Sequence, residues 1–203
     1  MDKKIIIGLT GQYGAGKSTI AKIFAQHKFC VIDADRVAKE ITSKKSTALL
    51  LADHFGTDIL NEDDYLNRKA LADIVFSDRE QLKKLNSIMF PKICKQIREV
   101  IDENNDKNVV IDAPQLFESG LNEICDIVIS VIAPIEILVQ RIVRRDNISE
   151  DDARLRLASQ HDEQFFIERS DYIIRSDSTL DFLNNQVMNI IIKETKKSDT
   201  FNF

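Results

Sequence analysis

Eight consecutive residues, Gly11-Gln12-Tyr13-Gly14-Ala15-Gly16-Lys17-Ser18, fill every fixed position of the pattern GxxxxGK[ST], and each position has a physical reason. Gly11, Gly14 and Gly16 let the backbone take positive φ angles and approach an anion with no Cβ in the way, so that successive N–H groups point inward as a cradle. Half of the six glycines in the chain fall here. A helix opening near Lys17 adds its N-terminal dipole, Lys17 brings a mobile cation to the β- and γ-phosphates, and Ser18 offers a hydroxyl to Mg²⁺, with Thr19 in an assisting place. The chemistry implied is the binding of a nucleoside triphosphate with its magnesium ion. A dinucleotide site fits less well: Gly14-Ala15-Gly16 begins GxGxxG, but Thr19 occupies the sixth position.

Two groups of side chains could turn binding into phosphoryl transfer. Asp33 and Asp35 close the second apolar run, two residues apart and so on one face if the strand extends that far. Ligands of open parallel sheets bind beyond the carboxyl ends of the strands. A carboxylate there can accept the proton of an attacking hydroxyl, since a loose transition state leaves proton removal late and ordinary aspartate basicity suffices. Asp33 is the stronger candidate, while Asp35 also suits a turn or helix N-cap. Val109-Val110-Ile111-Asp112 is an apolar strand ending in an acid, a pattern that holds Mg²⁺ directly or through water, although Asp before Ala113-Pro114 also suits a turn. Arg141 and Arg145 stand at i,i+4, on one face of a predicted helix that also carries Arg144. Such arginines can stabilise charge on transferred phosphoryl oxygens, but spacing alone favours a solvated face complementing the helix C-terminus.

The elements that must position these residues are legible from hydrophobic patterning. Apolar runs at Ile5 to Leu9, Phe29 to Ile32, Val109 to Ile111 and Ile127 to Ile132, with a weaker one at Tyr172 to Ile174, are continuous rather than alternating, which predicts parallel strands buried on both faces. Helical patterns at Ser18 to Gln26, Ile135 to Arg145 and Leu180 to Ile192 separate them, so a doubly wound α/β fold is expected. The long interval Ala34 to Lys107 reads as a helical insertion, with amphipathic pieces at Asp35 to Thr42, Thr47 to His54, Arg68 to Val75 and Arg79 to Asp102, the last punctuated by Pro91. Arg141 to Ser170 is polar, Arg-rich and helical, with Ser149 and Asp152 spaced as a capping box, and is the natural lid. The end, Lys196 to Phe203, is expected to fray.

With 203 residues, 43% hydrophobic and 30% charged, the composition suits one globular domain with a full core. A net charge of -5 disfavours nucleic-acid or anionic-membrane partners, so phosphate must be held by local geometry. Cys30, Cys94 and Cys125 lack CxxC spacing and read as reduced core cysteines. Met1-Asp2-Lys3-Lys4 leads into too few apolar residues for a signal peptide or a span, and a cytoplasmic location is expected.

Taken in order, Gly8-Leu9-Thr10-Gly11 before the phosphate loop, Asp33-Ala34-Asp35, Leu66-Asn67-Arg68-Lys69-Ala70-Leu71-Ala72, Val75-Phe76, Leu85-Asn86 before Pro91, Pro114-Gln115-Leu116-Phe117-Glu118-Ser119-Gly120, Gln140-Arg141 with Arg144-Arg145-Asp146, Ser159-Gln160 and Ser170-Asp171 resemble the dephospho-CoA kinase family. The resemblance covers the chain to about Ile192. It implies a P-loop NTPase-like, doubly wound, five-stranded parallel sheet (core about 1–35, 107–138 and 171–195) with a helical CoA-binding insertion (about 36–106) and a lid (about 139–170). It further implies ATP and Mg²⁺ as cofactors, dephospho-CoA as the small-molecule partner, and a monomer or weak homo-oligomer. In the site it implies Lys17, Asp33 and Arg141 as catalytic groups, Arg145 as a phosphate contact, Arg68, Leu116, Phe117 and Glu118 as acceptor contacts, and Ser18 and Asp112 at the metal.

The sequence departs from the family pattern at Phe90, where His is usual, at Gln115, at Gln12-Tyr13, and at Ser176, where Asn is usual. His27, His54 and His161 match nothing in the pattern and read as surface or helix residues. A kinase for another small metabolite or a nucleoside monophosphate shares the core motifs. A nucleotide-dependent regulator fits less well, since Asp53-His54-Phe55-Gly56 imitates DxxG but no NKxD accompanies it.

Overall fold

The computed structural model describes residues 4–200. Residues 1–3 and 201–203, which hold most of the expected leading segment and part of the expected frayed end, lie outside the described residues. The chain forms two compact units, one of Met1–Ile32 with Glu103–Phe203 and the other of Asp33–Asp102.

The first unit contains β1 (Ile6–Gly11), β2 (Cys30–Asp33, at the boundary), β3 (Val109–Asp112), β4 (Ile127–Ile132) and β5 (Tyr172–Arg175), in the order β2-β3-β1-β4-β5. β1 pairs in parallel with β3 and β4, and β4 in parallel with β5. Cys30 N–H donates to the Asn108 carbonyl beside β3 at 2.8 Å. Helices α1 (Lys17–Gln26), α6 (Ile135–Asp146), α7 (Glu150–Ala158), α8 (Glu163–Arg169) and α9 (Leu180–Thr200) complete it. All six residues of β4 are buried, because helices on both sides leave no wet face on a parallel sheet. Ile7, Leu9, Ile20, Phe24, Ile129, Ile142 and Val187 belong to the resulting core. α9 runs helical past Lys196, where the sequence predicts fraying, as far as Thr200.

The second unit is helical: α2 (Ala34–Thr42), α3 (Lys45–Phe55), α4 (Arg68–Ser77) and α5 (Arg79–Glu103), whose last residue lies past the unit boundary. Asp33 and Asn67 cap α2 and α4 by accepting from Arg36 N–H at 3.0 Å and Ala70 N–H at 3.2 Å. α5 follows the expected piece to within one residue, and Pro91, which punctuates it, sits inside a continuous helix. The cost of an interior proline, about 3 kcal/mol, is offset by the apolar row Met89, Ile93, Ile97 and Ile101, all buried at helical spacing on both sides of it.

Cys30, Cys94 and Cys125 are free thiols. Burial pushes the Cys125 thiol up to about 12, which makes it a packing group rather than a nucleophile. Among the described residues no helix is long and apolar enough to cross a membrane.

Gly11 and Gly120 both have positive φ, 134° and 74°, yet their surroundings differ. A Cβ on Gly11 would lie 2.0 Å from the Val131 carbonyl oxygen, whereas one on Gly120 meets nothing within 4 Å. Gly120→Ala should therefore fold with a loss of about 1–2 kcal/mol from backbone strain alone, while Gly11→Ala should fail to reach the native fold. Thermal unfolding followed by circular dichroism compares the two.

Candidate active site

The phosphate loop is built where β1 ends against β4. Gln12 N–H donates to Val131 O at 3.0 Å, and the Gln12 side-chain carbonyl accepts from Ala133 N–H at 3.1 Å. Ala15 N–H closes the turn onto Gln12 O at 3.1 Å. Gly16 stands at the N-cap of α1 in the left-handed region (φ 89°) with no side chain to cap the helix, so an anion can serve as the cap. Lys17 Nζ donates to Gly11 O at 3.2 Å, which holds the ammonium over its own loop. Ser18 is exposed on the first turn of α1.

Arg141 is tied to the loop rather than solvated, which resolves the alternative that spacing alone favours. Its Nη2 donates to Ser176 O at 2.6 Å and its Nη1 to Ser176 Oγ at 3.0 Å and Ala15 O at 3.4 Å. Ser176 is 2% exposed, and its hydroxyl donates to Ala15 O at 2.6 Å. This serine is therefore a bracket between β5 and the loop, satisfied by protein groups, and not a side chain presented to a base.

Arg145 lies 4.4 Å over the Tyr13 ring and pairs with Asp146 through Nε at 2.8 Å and Nη2 at 3.2 Å. The Tyr13 hydroxyl donates to Asp146 Oδ2 at 2.8 Å, and Arg156 Nη1 reaches the same oxygen at 3.1 Å. Arg145 first, then Tyr13, holds the Asp146 carboxyl down at about 2. Its stabilising contribution is thus complete above the ordinary aspartate value and is lost only as pH falls through about 2. The contacts of Asp146 with Tyr13 and Arg156 are not legible in the sequence, because they join positions 133 and 10 residues apart.

Beyond β3 the expected acceptor residues separate. Asp112 ends its strand opposite Leu9, next to the run into the loop. Leu116, expected as an acceptor contact, is completely buried; it fills the space above Gly8, where a Cβ would meet it at 2.8 Å. Its side chain serves the core and presents nothing to a ligand. Phe117 packs edge-on against Phe165 of α8, ring centroids 5.5 Å apart. Glu118 Oε1 lies 3.0 Å from His161 Nε2, and the imidazole stacks on Phe165 at 3.6 Å. His161, unassigned from sequence, thus links this loop to α8, while His27 and His54 are exposed.

Two expected residues belong to the second unit and have their geometry there. Asp33 is exposed, with one carboxylate oxygen engaged by the α2 N-terminus. Arg68 Nη2 donates to Lys39 O at 3.1 Å and Thr42 Oγ1 at 3.2 Å, completing the C-terminal turn of α2.

Among the described residues no group of three or more His, Cys, Asp or Glu side chains forms a preformed metal cage. Ser18 and Asp112 offer hard oxygen donors, a set suited to a magnesium ion that keeps most of its water shell and takes its other ligands from phosphate.

Comparison with known proteins places these features in context. Residues 5–181 match the family model for dephospho-CoA kinase. A dephospho-CoA kinase of Fusobacterium nucleatum is 39% identical over 183 residues, covering 90% of this chain and 95% of that protein. A dephospho-CoA kinase structure from Campylobacter jejuni superposes with a TM-score of 0.72 at 29% identity, covering 96% of this chain and 99% of that one. A Thermus thermophilus structure superposes at 0.82 with 27% identity, covering 94% and 97%.

The Arg141 bracket makes a stability prediction. Ser176→Ala removes one neutral donor and should cost about 1 kcal/mol, whereas Arg141→Ala strips charged donors from partly buried oxygens and should cost about 1.5–3 kcal/mol. Urea unfolding of the two variants measures the order, and a smaller cost for Arg141→Ala would contradict it.

Proposed function

The chain belongs to the dephospho-CoA kinase family, and from that membership we propose how its own residues carry the reaction. It uses ATP to phosphorylate dephospho-CoA, giving coenzyme A and ADP, the last step of coenzyme A biosynthesis. The observation that carries this reading is the family match over residues 5–181, which takes in the phosphate loop, Asp33, Arg68 and the Arg141 bracket together.

In the proposed mechanism the backbone of Gly11 to Thr19 cradles the ATP phosphates, and Lys17 leaves Gly11 O to pair with the β- and γ-phosphates. Arg141 and Arg145 face the charge that spreads over the transferred phosphoryl oxygens, where a planar guanidinium gives two aligned donors. Ser18 Oγ and the Asp112 carboxylate would hold Mg²⁺, which would supply neutralisation of phosphate charge. Asp33 accepts the proton of the ribose 3′-hydroxyl as that oxygen attacks phosphorus. The Asp33 oxygen that accepts from Arg36 N–H fixes the carboxylate's direction, and the second oxygen remains for the substrate hydroxyl. Arg68 and the exposed edge of Phe117 and Glu118 contact the acceptor. The segment 139–170 acts as the lid, and the protein works in the cytoplasm as a monomer or weak homo-oligomer without a nucleic-acid or membrane partner.

The acceptor reading is tested with a panel: ATP-dependent ADP release should be strong with dephospho-CoA and weak with shikimate, CMP or UMP. Turnover of one of the latter without the former would overturn it. Residue roles are tested separately. Asn keeps the N-cap oxygen that Asp33 supplies, so Asp33→Asn should fold normally and bind ATP while kcat falls roughly 10²–10⁴-fold. A near-normal kcat would remove Asp33 from the mechanism. Lys17→Ala should lose on the order of 10²–10³ in kcat through lost transition-state charge stabilisation.

A further inference from the structure

Tyr13 occupies the third position of the phosphate loop, where the backbone alone is needed to line the cradle. Its side chain nevertheless makes two directed contacts with the end of α6: the ring lies under the Arg145 guanidinium at 4.4 Å, and the hydroxyl donates to Asp146 Oδ2 at 2.8 Å. Asp146 is the hub of the cluster. It receives Arg145 through both oxygens and Arg156 through one, and its side chain is 17% exposed against 53% for Arg145 and 49% for Arg156. Two guanidinium groups against one carboxylate leave the cluster net cationic beside a loop built for anions. The next residue reinforces the same junction, since a Cβ on Gly14 would lie 2.9 Å from Ile142 Cγ1 of α6.

A long, half-exposed arginine ordinarily loses rotamer freedom when it meets a phosphate, and that cost is subtracted from affinity. Here the ordering is done beforehand by a ring face and a bidentate carboxylate. We propose that Tyr13 is a positioning residue for nucleotide binding, its ring and hydroxyl holding Arg145 and Asp146 at the phosphate loop so that Arg145 meets the ATP phosphates already ordered. The inference rests on the reading of Arg145 as a phosphate contact and adds to it the group that acts through it. Arg156 is the second cation of the cluster, held by the same Asp146 oxygen that Tyr13 engages.

The test is affinity for a non-hydrolysable ATP analogue with Mg²⁺, measured by calorimetry without any acceptor. Tyr13→Leu removes ring and hydroxyl and should weaken binding about fivefold, the scale of one lost cation–π contact and one hydrogen bond at a half-exposed site, while Tyr13→Phe keeps the ring and should weaken it about twofold. Arg145→Ala should weaken binding at least as much as Tyr13→Leu. In the double variant Tyr13→Leu/Arg145→Ala the effects should not add, the affinity equalling that of Arg145→Ala alone. A merely structural staple would lower the melting temperature and leave this coupling at zero. Wild-type affinity in Tyr13→Leu, or additive losses in the double variant, would overturn the inference. If Tyr13→Leu does not fold, Tyr13→Phe with and without Arg145→Ala supplies the same cycle, with the same two outcomes. Because dephospho-CoA is absent, a failed cycle in a chain that binds the analogue sinks only the role of Tyr13. A wild-type chain that does not bind the analogue sinks the kinase reading and this inference with it.

Discussion

The site depends on one backbone contact: Gly11 pressed against Val131 of the neighbouring strand. A Cβ at Gly11 would reach the carbonyl carbon, nitrogen and oxygen of Val131 at 2.8 Å or less, so glycine alone lets β1 run into the loop while staying paired to β4. From that point the course of the chain is determined in sequence. Gln12 bonds β4 through its backbone and the residue just past β4, Ala133, through its side chain, Ala15 and Gly16 complete the turn, and α1 begins with its N-terminus toward the cradle. The cradle is thus an extension of the sheet, and its precision comes from strand pairing rather than from loop stiffness.

Onto this fixed loop the chain attaches its cations from two directions. Arg141 and Ser176 clamp the Ala15 carbonyl from α6 and β5, and Tyr13 with Asp146 holds Arg145 from the end of α6. Both clamps use groups of the loop itself, so loop and guanidinium groups form one assembly before any anion arrives. Preorganised donors of this kind need little rearrangement when charge develops. Two of the positions where this chain departs from its family's pattern, Tyr13 and Ser176, lie in these clamps, and a third, Gln12, bonds Val131 and Ala133.

The sequence made the sheet legible because both-face burial writes continuous Ile and Val runs: β4 has the expected ends, β3 and β5 run one residue further, β2 is shifted by one residue, and β1 runs from Ile6 to Gly11 rather than from Ile5 to Leu9. The phosphate loop was legible because its positions are dictated by backbone conformation, a local property. Ser149 was legible for the same reason: its hydroxyl accepts from Asp152 N–H at 3.1 Å. What was not legible is non-local. The Ser176 to Ala15 bond spans 161 positions and the Tyr13 to Asp146 bond 133, and no periodicity encodes either. Leu116 misled because it sits in a motif resembling an acceptor loop, while its side chain turns inward onto Gly8.

As a member of the dephospho-CoA kinase family the chain transfers the γ-phosphoryl group of ATP to a hydroxyl of dephospho-CoA. The most direct measurement incubates the protein with dephospho-CoA and ATP labelled in the γ-phosphoryl group and locates the label in the product by phosphorus NMR. The account predicts label on the ribose 3′-oxygen and on no other position. Label on the 2′-oxygen or on the pantetheine end, or ADP release with no labelled coenzyme A, would contradict it.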